Sequence, residues 1–281
     1  MGIKLTKMQG CGNDFVILDY EEFLKMKCTM KEAAIKLCDR NFGVGADGLI
    51  IPNKLAENTD IGWYFYNSDG TTAQMCGNGM RCFAKYVYDK KYVNKKEFTV
   101  KTLAGIITPQ ILENGQIRVN MSKPILEPEK IPFLPNYNLN YKISVKNRIF
   151  EGNAISMGNP HFVIFIKDDE NLLNLANEYG PLIEISAEFP EKTNVEFIKI
   201  KTRNEIELCV WERGCGITLA CGTGACASTV AGILNGYLEN SVDVNLLGGK
   251  VNVYWENHSE LEYGNVYLTG FADYVFEAEL I

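Results

Sequence analysis

Cys76-Gly77-Asn78-Gly79 is repeated as Cys221-Gly222-Thr223-Gly224, 145 positions further along the chain. Outward from these loops the repetition continues. Gly12-Asn13-Asp14-Phe15-Val16-Ile17 returns, with one insertion, as Gly158-Asn159-Pro160-His161-Phe162-Val163-Ile164, and Thr102-Leu103-Ala104-Gly105 resembles Leu246-Leu247-Gly248-Gly249. Landmarks in one order at nearly one offset are the signature of a duplicated unit.

Both halves carry the same pattern of elements. Apolar, β-branched runs follow the Gly-Asn pairs (Phe15 to Leu18; Phe162 to Ile166) and read as strands. Lys31 to Cys38 and Leu172 to Tyr179 have apolar residues at helical spacing. Strands are expected at Ile61 to Tyr66, Val195 to Lys201 and Glu205 to Trp211, just ahead of the Cys-Gly loops. Mostly apolar helices, Met80 to Tyr88 and Ala225 to Leu234, follow the loops, and alternating strands close each half. The expected fold is α/β of the α+β kind: two duplicated domains related by a pseudo-twofold, residues 1–122 and 141–270. The segment Lys123 to Asn140, with four prolines, is the expected linker.

A cysteine placed before two glycines and a helix has a physical meaning. The first N–H groups of a helix lack intrahelical partners and, with the macrodipole, favour negative charge nearby. This predicts a thiol whose pKa is lowered toward neutrality. It also predicts a cradle in which the backbone of Gly77 and Asn78, or of Gly222 and Thr223, holds a carboxylate. Two such loops predict a site in the cleft between the domains, with one thiol on each side. Inverting a carbon that bears hydrogen needs this arrangement, since one group removes a proton from one face and the other supplies one to the opposite face. Racemisation or epimerisation is the reaction class. His161, in Asn159-Pro160-His161, and Glu212, at a strand end feeding the second loop, are candidates to tune the thiols.

Composition bounds the rest. With 46% apolar and 22% charged residues in 281, the chain is that of an ordinary globular protein, and a net charge of -7 gives no basic footprint for nucleic acid. The start of the chain lacks the apolar core of a secretory leader, and no apolar run reaches the length of a membrane helix, so a cytoplasmic location without membrane contact is expected. Nine cysteines without a CxxC pair, and two histidines, predict neither a disulfide framework nor a structural metal. Cys11, Cys28, Cys38, Cys82, Cys209, Cys215 and Cys226 are assigned to packing. Gly43-Val44-Gly45-Ala46-Asp47-Gly48 satisfies GxGxxG but follows a helix, and Gly222-Thr223-Gly224-Ala225-Cys226-Ala227 lies some ten residues beyond its strand; neither has the dinucleotide context. An NAD-dependent dehydrogenase and a noncatalytic small-ligand-binding protein are the alternatives from other classes.

Taken together and in order, Met8-Gln9-Gly10-Cys11-Gly12-Asn13-Asp14-Phe15, Asn67-Ser68-Asp69-Gly70, Met75 to Cys82, Gly158 to His161, Thr193-Asn194-Val195, Trp211-Glu212-Arg213-Gly214 and Ala220 to Gly224 resemble the diaminopimelate epimerase family across essentially the whole chain. The resemblance implies a cofactor-independent isomerase that interconverts LL- and meso-2,6-diaminopimelate in lysine and peptidoglycan-precursor synthesis, with Cys76 and Cys221 as bases and His161 and Glu212 tuning or deprotonating them. Gly77, Asn78, Gly222 and Thr223 would hold the reacting α-carboxylate. Asn13, Asn67, Asn159, Asn194 and Arg213 would fix the rest of the substrate, Arg213 by forking onto the distal carboxylate. It further implies a curved, barrel-like sheet around a central helix in each domain, a last strand (about 271–281) returning to the first domain, and a homodimer. Gly48, where many members have Gln, and Ile217, where Glu is common, depart from the pattern. A racemase or epimerase of another amino acid, such as lanthionine, is the alternative within the fold.

Overall fold

The computed structural model describes residues 2–72, 75–256, 258–259 and 262–281. Two compact units form: Met1–Asn120 with Thr269–Ile281, and Met121–Leu268. Each is described by itself.

The first unit contains β1 (Ile3–Gly10), β2 (Asn13–Ile17), α1 (Tyr20–Lys25), α2 (Met30–Cys38), β3 (Gly48–Asn53), β4 (Ile61–Asn67), α3 (Gly77–Asp89), β5 (Val100–Thr102), β6 (Gly105–Ile107), β7 (Gln110–Ile111) and β8 (Ile117–Asn120). The second contains β9 (Tyr141–Val145), β10 (Arg148–Ser156), β11 (Pro160–Phe165), α4 (Leu172–Glu184), β12 (Asn194–Thr202), β13 (Glu205–Glu212), β14 (Gly216–Ile217), α5 (Gly222–Leu234), β15 (Ser241–Leu246), β16 (Gly249–Trp255), β17 (His258–Ser259), β18 (Glu262–Tyr263) and β19 (Val266–Gly270). The last strand, β20 (Asp273–Leu280), pairs antiparallel with β1.

The duplication is visible in the strand pairing. In the first unit β1–β2 is antiparallel, β2–β3 parallel, β3–β4 antiparallel, β4–β5 parallel and β5–β6 antiparallel. In the second unit β10–β11, β11–β12, β12–β13, β13–β15 and β15–β16 repeat that series in the same order. Each parallel pair requires a crossover, since only antiparallel neighbours can be joined by a tight turn. α1 and α2, or α4, span the first crossover; α3 or α5 spans the second.

The two crossovers differ in burial. α2 and α4 are half-buried covers. α2 starts at a capping box in which Thr29 accepts from the Glu32 N–H while Glu32 accepts from that of Thr29. By contrast α3 and α5 are buried over most of their length, as befits helices enclosed by sheet. α5 packs on β10, β11, β12 and β16, strands from well-separated places in the sheet order, so that sheet curves around it.

Several elements differ from the expectation. Leu49-Ile50-Ile51 in β3 is buried on both faces and therefore shows no alternation. α4 runs past Tyr179 to Glu184 with Pro181 inside it. The proline-rich segment expected as a linker is not one. Its Ile131 and Phe133 are buried in the core of the second unit with Phe162, Phe189 and Val195. Prolines here shape a packed loop around a short 3-10 turn at Pro128–Lys130. Among the cysteines assigned to packing, Cys38, Cys82, Cys209 and Cys226 are buried, Cys11 and Cys28 are half-buried, and Cys215 is exposed. No helix among the described residues is long and apolar enough to cross a membrane.

Candidate active site

Cys76 and Cys221 occupy the same structural position. Each is the N-cap of a 13-residue helix, extended in backbone, and each Sγ accepts the N–H of the residue three further on: Gly79 at 3.4 Å and Gly224 at 3.3 Å. A thiol here takes the place usually filled by Ser, Thr or Asp. It lies where the first-turn amides converge and the helix presents its positive end.

In the first unit the Cys76 thiol donates to Asn13 Oδ1 at 3.7 Å, and Asn78 Nδ2 donates to the same oxygen at 3.2 Å. Asn13 Nδ2 in turn donates to Asp47 Oδ2 at 2.6 Å. Asp47 and Asp14 exchange backbone-to-carboxylate bonds, and Arg40 bridges the two carboxylates. Burial pushes the Asp14 carboxyl up, but Arg40 and Lys7 outweigh it and hold the group below its ordinary value. An ionised pair thus anchors the β2 end and orients the Asn13 amide toward the thiol. Asn67, at the end of β4, donates to Thr71 Oγ1 at 3.0 Å. Gly48 lies opposite Asn67, and a Cβ there would sit 2.8 Å from the Tyr66 carbonyl oxygen and from Phe65 Cε2. This packing leaves no room for a side chain at the position where the chain departs from the family pattern.

The second thiol is more deeply buried: Cys221 is buried, whereas Cys76 is half-buried. Burial, then the charges of Glu212 and Glu196, push the Cys221 thiol well up. The expectation of a thiol lowered by the helix N-terminus is therefore corrected here: loss of solvent and two nearby acids outweigh the amide bond from Gly224. Glu212 keeps some exposed surface, yet its carboxyl lies deep and burial pushes it up as well. That carboxyl accepts from Thr218 Oγ1 and interacts electrostatically with Cys221. Thr223 Oγ1 lies 3.5 Å from the Cys221 sulfur and accepts from Asn159 Nδ2 at 3.3 Å. His161 does not touch Cys221. Its Nε2 meets Asn159 Oδ1 at 3.1 Å and its Nδ1 meets Glu196 Oε1 at 2.6 Å.

Asn194 organises the next turn: its Nδ2 donates to the Pro160 carbonyl and its Oδ1 accepts the Arg213 N–H. Glu184 accepts from Trp211 Nε1 and the Gly214 N–H, which fixes both ends of the Trp211-to-Gly214 turn. The Arg213 guanidinium donates to the Glu191 carbonyl at 2.9 Å. Ile217, in β14, pairs with Trp211 and packs on the core.

A family model described as diaminopimelate epimerase matches residues 5–127 and 153–275, taking in both cysteine loops. The chain belongs to the diaminopimelate epimerase family. The family assignment makes it an isomerase of the epimerase class. It is 45% identical to a diaminopimelate epimerase of Desulfitobacterium hafniense, over 99% of this chain and 98% of that protein. It is 44% identical to one of Carboxydothermus hydrogenoformans, over 99% of each. Solved structures share the fold at low identity: a PhzF-family phenazine biosynthesis protein of Bacillus anthracis (TM-score 0.69, 17% identity, 100% of this chain and 99% of that one) and a hydroxyproline epimerase of Agrobacterium vitis (TM-score 0.69, 10% identity, 99% and 92%).

Within this epimerase-family chain, Cys76, Asn78 and Asn13 come together in one unit. Cys221, Thr223, Asn159, His161 and Glu212 come together in the other, with Asn194 and Arg213 linked to each other. Asp47, Thr218 and Glu196 were not among the candidates from sequence. For Glu196 a sequence signal exists, since an acidic residue between Val195 and Phe197 in an apolar strand is rarely placed there without a buried partner.

Proposed function

We propose that the chain interconverts LL- and meso-2,6-diaminopimelate by moving protons at the α-carbon, with Cys76 and Cys221 as its two bases and without a cofactor. The observation that carries this reading is the equivalent placement of two thiols, each capping a buried helix and each held by the third amide of that helix. The diaminopimelate substrate comes from the full-length relatives, named for that reaction.

The chemistry follows from the asymmetry of the surroundings. Cys221, pushed up by burial and by acids, is a thiol at neutral pH and is ready to donate. Cys76, once its own proton has left Asn13 for solvent, removes the α-proton as a thiolate, and Cys221 delivers its proton to the other face. In reverse, Glu212 takes the proton of Cys221 and makes it the base. First-turn amides of Gly77, Asn78, Gly222 and Thr223 hold the α-carboxylate as charge develops on it. Asn13, Asn67, Asn159 and Asn194 bind the remaining polar groups, and Arg213 leaves the Glu191 carbonyl to pair with the distal carboxylate. Since both sulfurs must stay reduced, the enzyme works in a reducing cytosol.

In deuterium oxide, the purified chain with no addition is expected to convert LL-diaminopimelate to the meso form with deuterium at the α-carbon. Cys76→Ala and Cys221→Ala should each lower the rate by about a hundredfold or more and leave the fold intact. Conversion that requires pyridoxal phosphate, or comparable turnover of monocarboxylic amino acids, overturns the reading.

A further inference from the structure

We propose that Glu196 is a positioning residue for His161: its carboxyl holds the imidazole through Nδ1, so that His161 reaches Cys221 through Asn159 and Thr223. This inference rests on the reading of Cys221 as one of the two bases.

The geometry is that of a continuous chain. Glu196 Oε1 lies 2.6 Å from His161 Nδ1, and both side chains are 0% exposed. His161 Nε2 lies 3.1 Å from Asn159 Oδ1, Asn159 Nδ2 lies 3.3 Å from Thr223 Oγ1, and that hydroxyl lies 3.5 Å from the Cys221 sulfur. The direction is fixed at Asn159. Asn159 gives its N–H to Thr223, so its carbonyl faces the ring, and a carbonyl only accepts. Nε2 therefore carries a proton. Nδ1 is left to share a proton with Glu196, which sits on the ring or on the carboxyl.

The surroundings explain why an acid is needed. β10 presents Ile155 opposite His161, an apolar neighbour, while β12 supplies Glu196. Glu212 at the end of β13 acts on the ring by charge, and Cys221 caps α5. Without Glu196 the Nδ1 of this buried ring would lose its hydrogen-bond partner. Oε2 of Glu196 is buried with no hydrogen-bond partner among the described residues, so the carboxyl depends on the bond from its Oε1 to His161. The first turn of α5 is built to admit the carboxyl. A Cβ at Gly224 would lie 2.8 Å from Glu196 Oε1, and the Gly224 N–H is the one that holds the Cys221 sulfur.

The test uses Glu196→Gln, which keeps an acceptor and the side-chain size and removes the charge. The chain has two histidines, so a His258→Gln background leaves His161 as the sole imidazole for NMR. In Glu196→Gln the Nδ1 nitrogen of His161 is expected to lose the proton it shares with the carboxyl, a change read from its nitrogen chemical shift. In the kinetics kcat should fall about tenfold or more with KM within about twofold. Glu196→Asp should restore part of the shift. In the unmutated protein the Nδ1 nitrogen should show a proton shared with a carboxyl. An Nδ1 shift unchanged in Glu196→Gln, a wild-type kcat in that variant, or an Nδ1 without such a proton in the unmutated protein overturns the proposal. The NMR arms need no turnover. If the intact chain fails to epimerise diaminopimelate while Nδ1 still shares a proton with Glu196, the functional reading fails and the pairing stands.

Discussion

Glu212→Gln isolates the electrostatics of the second thiol. In the folded chain the charge of Glu212 is the largest contribution after burial to the raised Cys221 thiol. Two unit charges about 4 Å apart, at an effective dielectric near 20, interact by about 4 kcal/mol, which bounds the effect. Thr218 already satisfies part of the Glu212 charge, so removing that charge lowers the Cys221 pKa by part of that bound. The sign is fixed: removing a like charge favours the thiolate, so the Cys221 pKa drops. The assay is the pH dependence of iodoacetamide labelling at Cys221, read by peptide mapping, since the thiolate is the nucleophile. Cys209, pushed up to about 11 by burial alone, is the internal standard and should not move. Activity should drop by about a hundredfold or more, because the group that accepts the Cys221 proton is gone. An inflection that stays in place or moves upward would refute the assignment of Glu212 as the charge that keeps the proton on Cys221.

Two further outcomes test the first unit. Asp14 is held below its ordinary pKa, so it contributes stability above its unfolded value near ~3.9 that is lost as pH falls through the lower folded value. Asp14→Asn should therefore melt below the wild type at pH 7, with the gap closing by pH 3; a gap that widens in acid counts against the Arg40 and Lys7 pairing. Gly48→Gln forces a side chain against the Tyr66 carbonyl and should cost about 1–3 kcal/mol, seen as a lower urea midpoint at unchanged slope. Full stability would show that β3 and β4 can separate there without cost.

The parts legible in the sequence are those in which chemistry and conformation are local. A Cys three residues ahead of a glycine, before an apolar helix, caps that helix whatever surrounds it, and the repeat of that motif exposes the duplication. The strands that alternate were legible too. β3 was not, because burial on both faces erases alternation, and Ile131 and Phe133 were hidden in a segment whose prolines suggested a linker. Asp47 stands within a glycine motif, and nothing local indicates that it accepts from Asn13 across 34 residues.

The sequence by itself therefore determined the duplicated α/β plan, the two helix-capping thiols and the reaction class that a pair of such thiols serves. Only the tertiary structure decided how each thiol behaves. Whether a helix N-terminus lowers a cysteine or burial raises it depends on how much solvent is lost and which acids are brought alongside. The parallel pairing of β11 with β12 brings Glu196 to His161, and the end of β13 brings Glu212 to Cys221. These contacts join residues distant in sequence, and their energies are set by desolvation, which has no local signature in the chain.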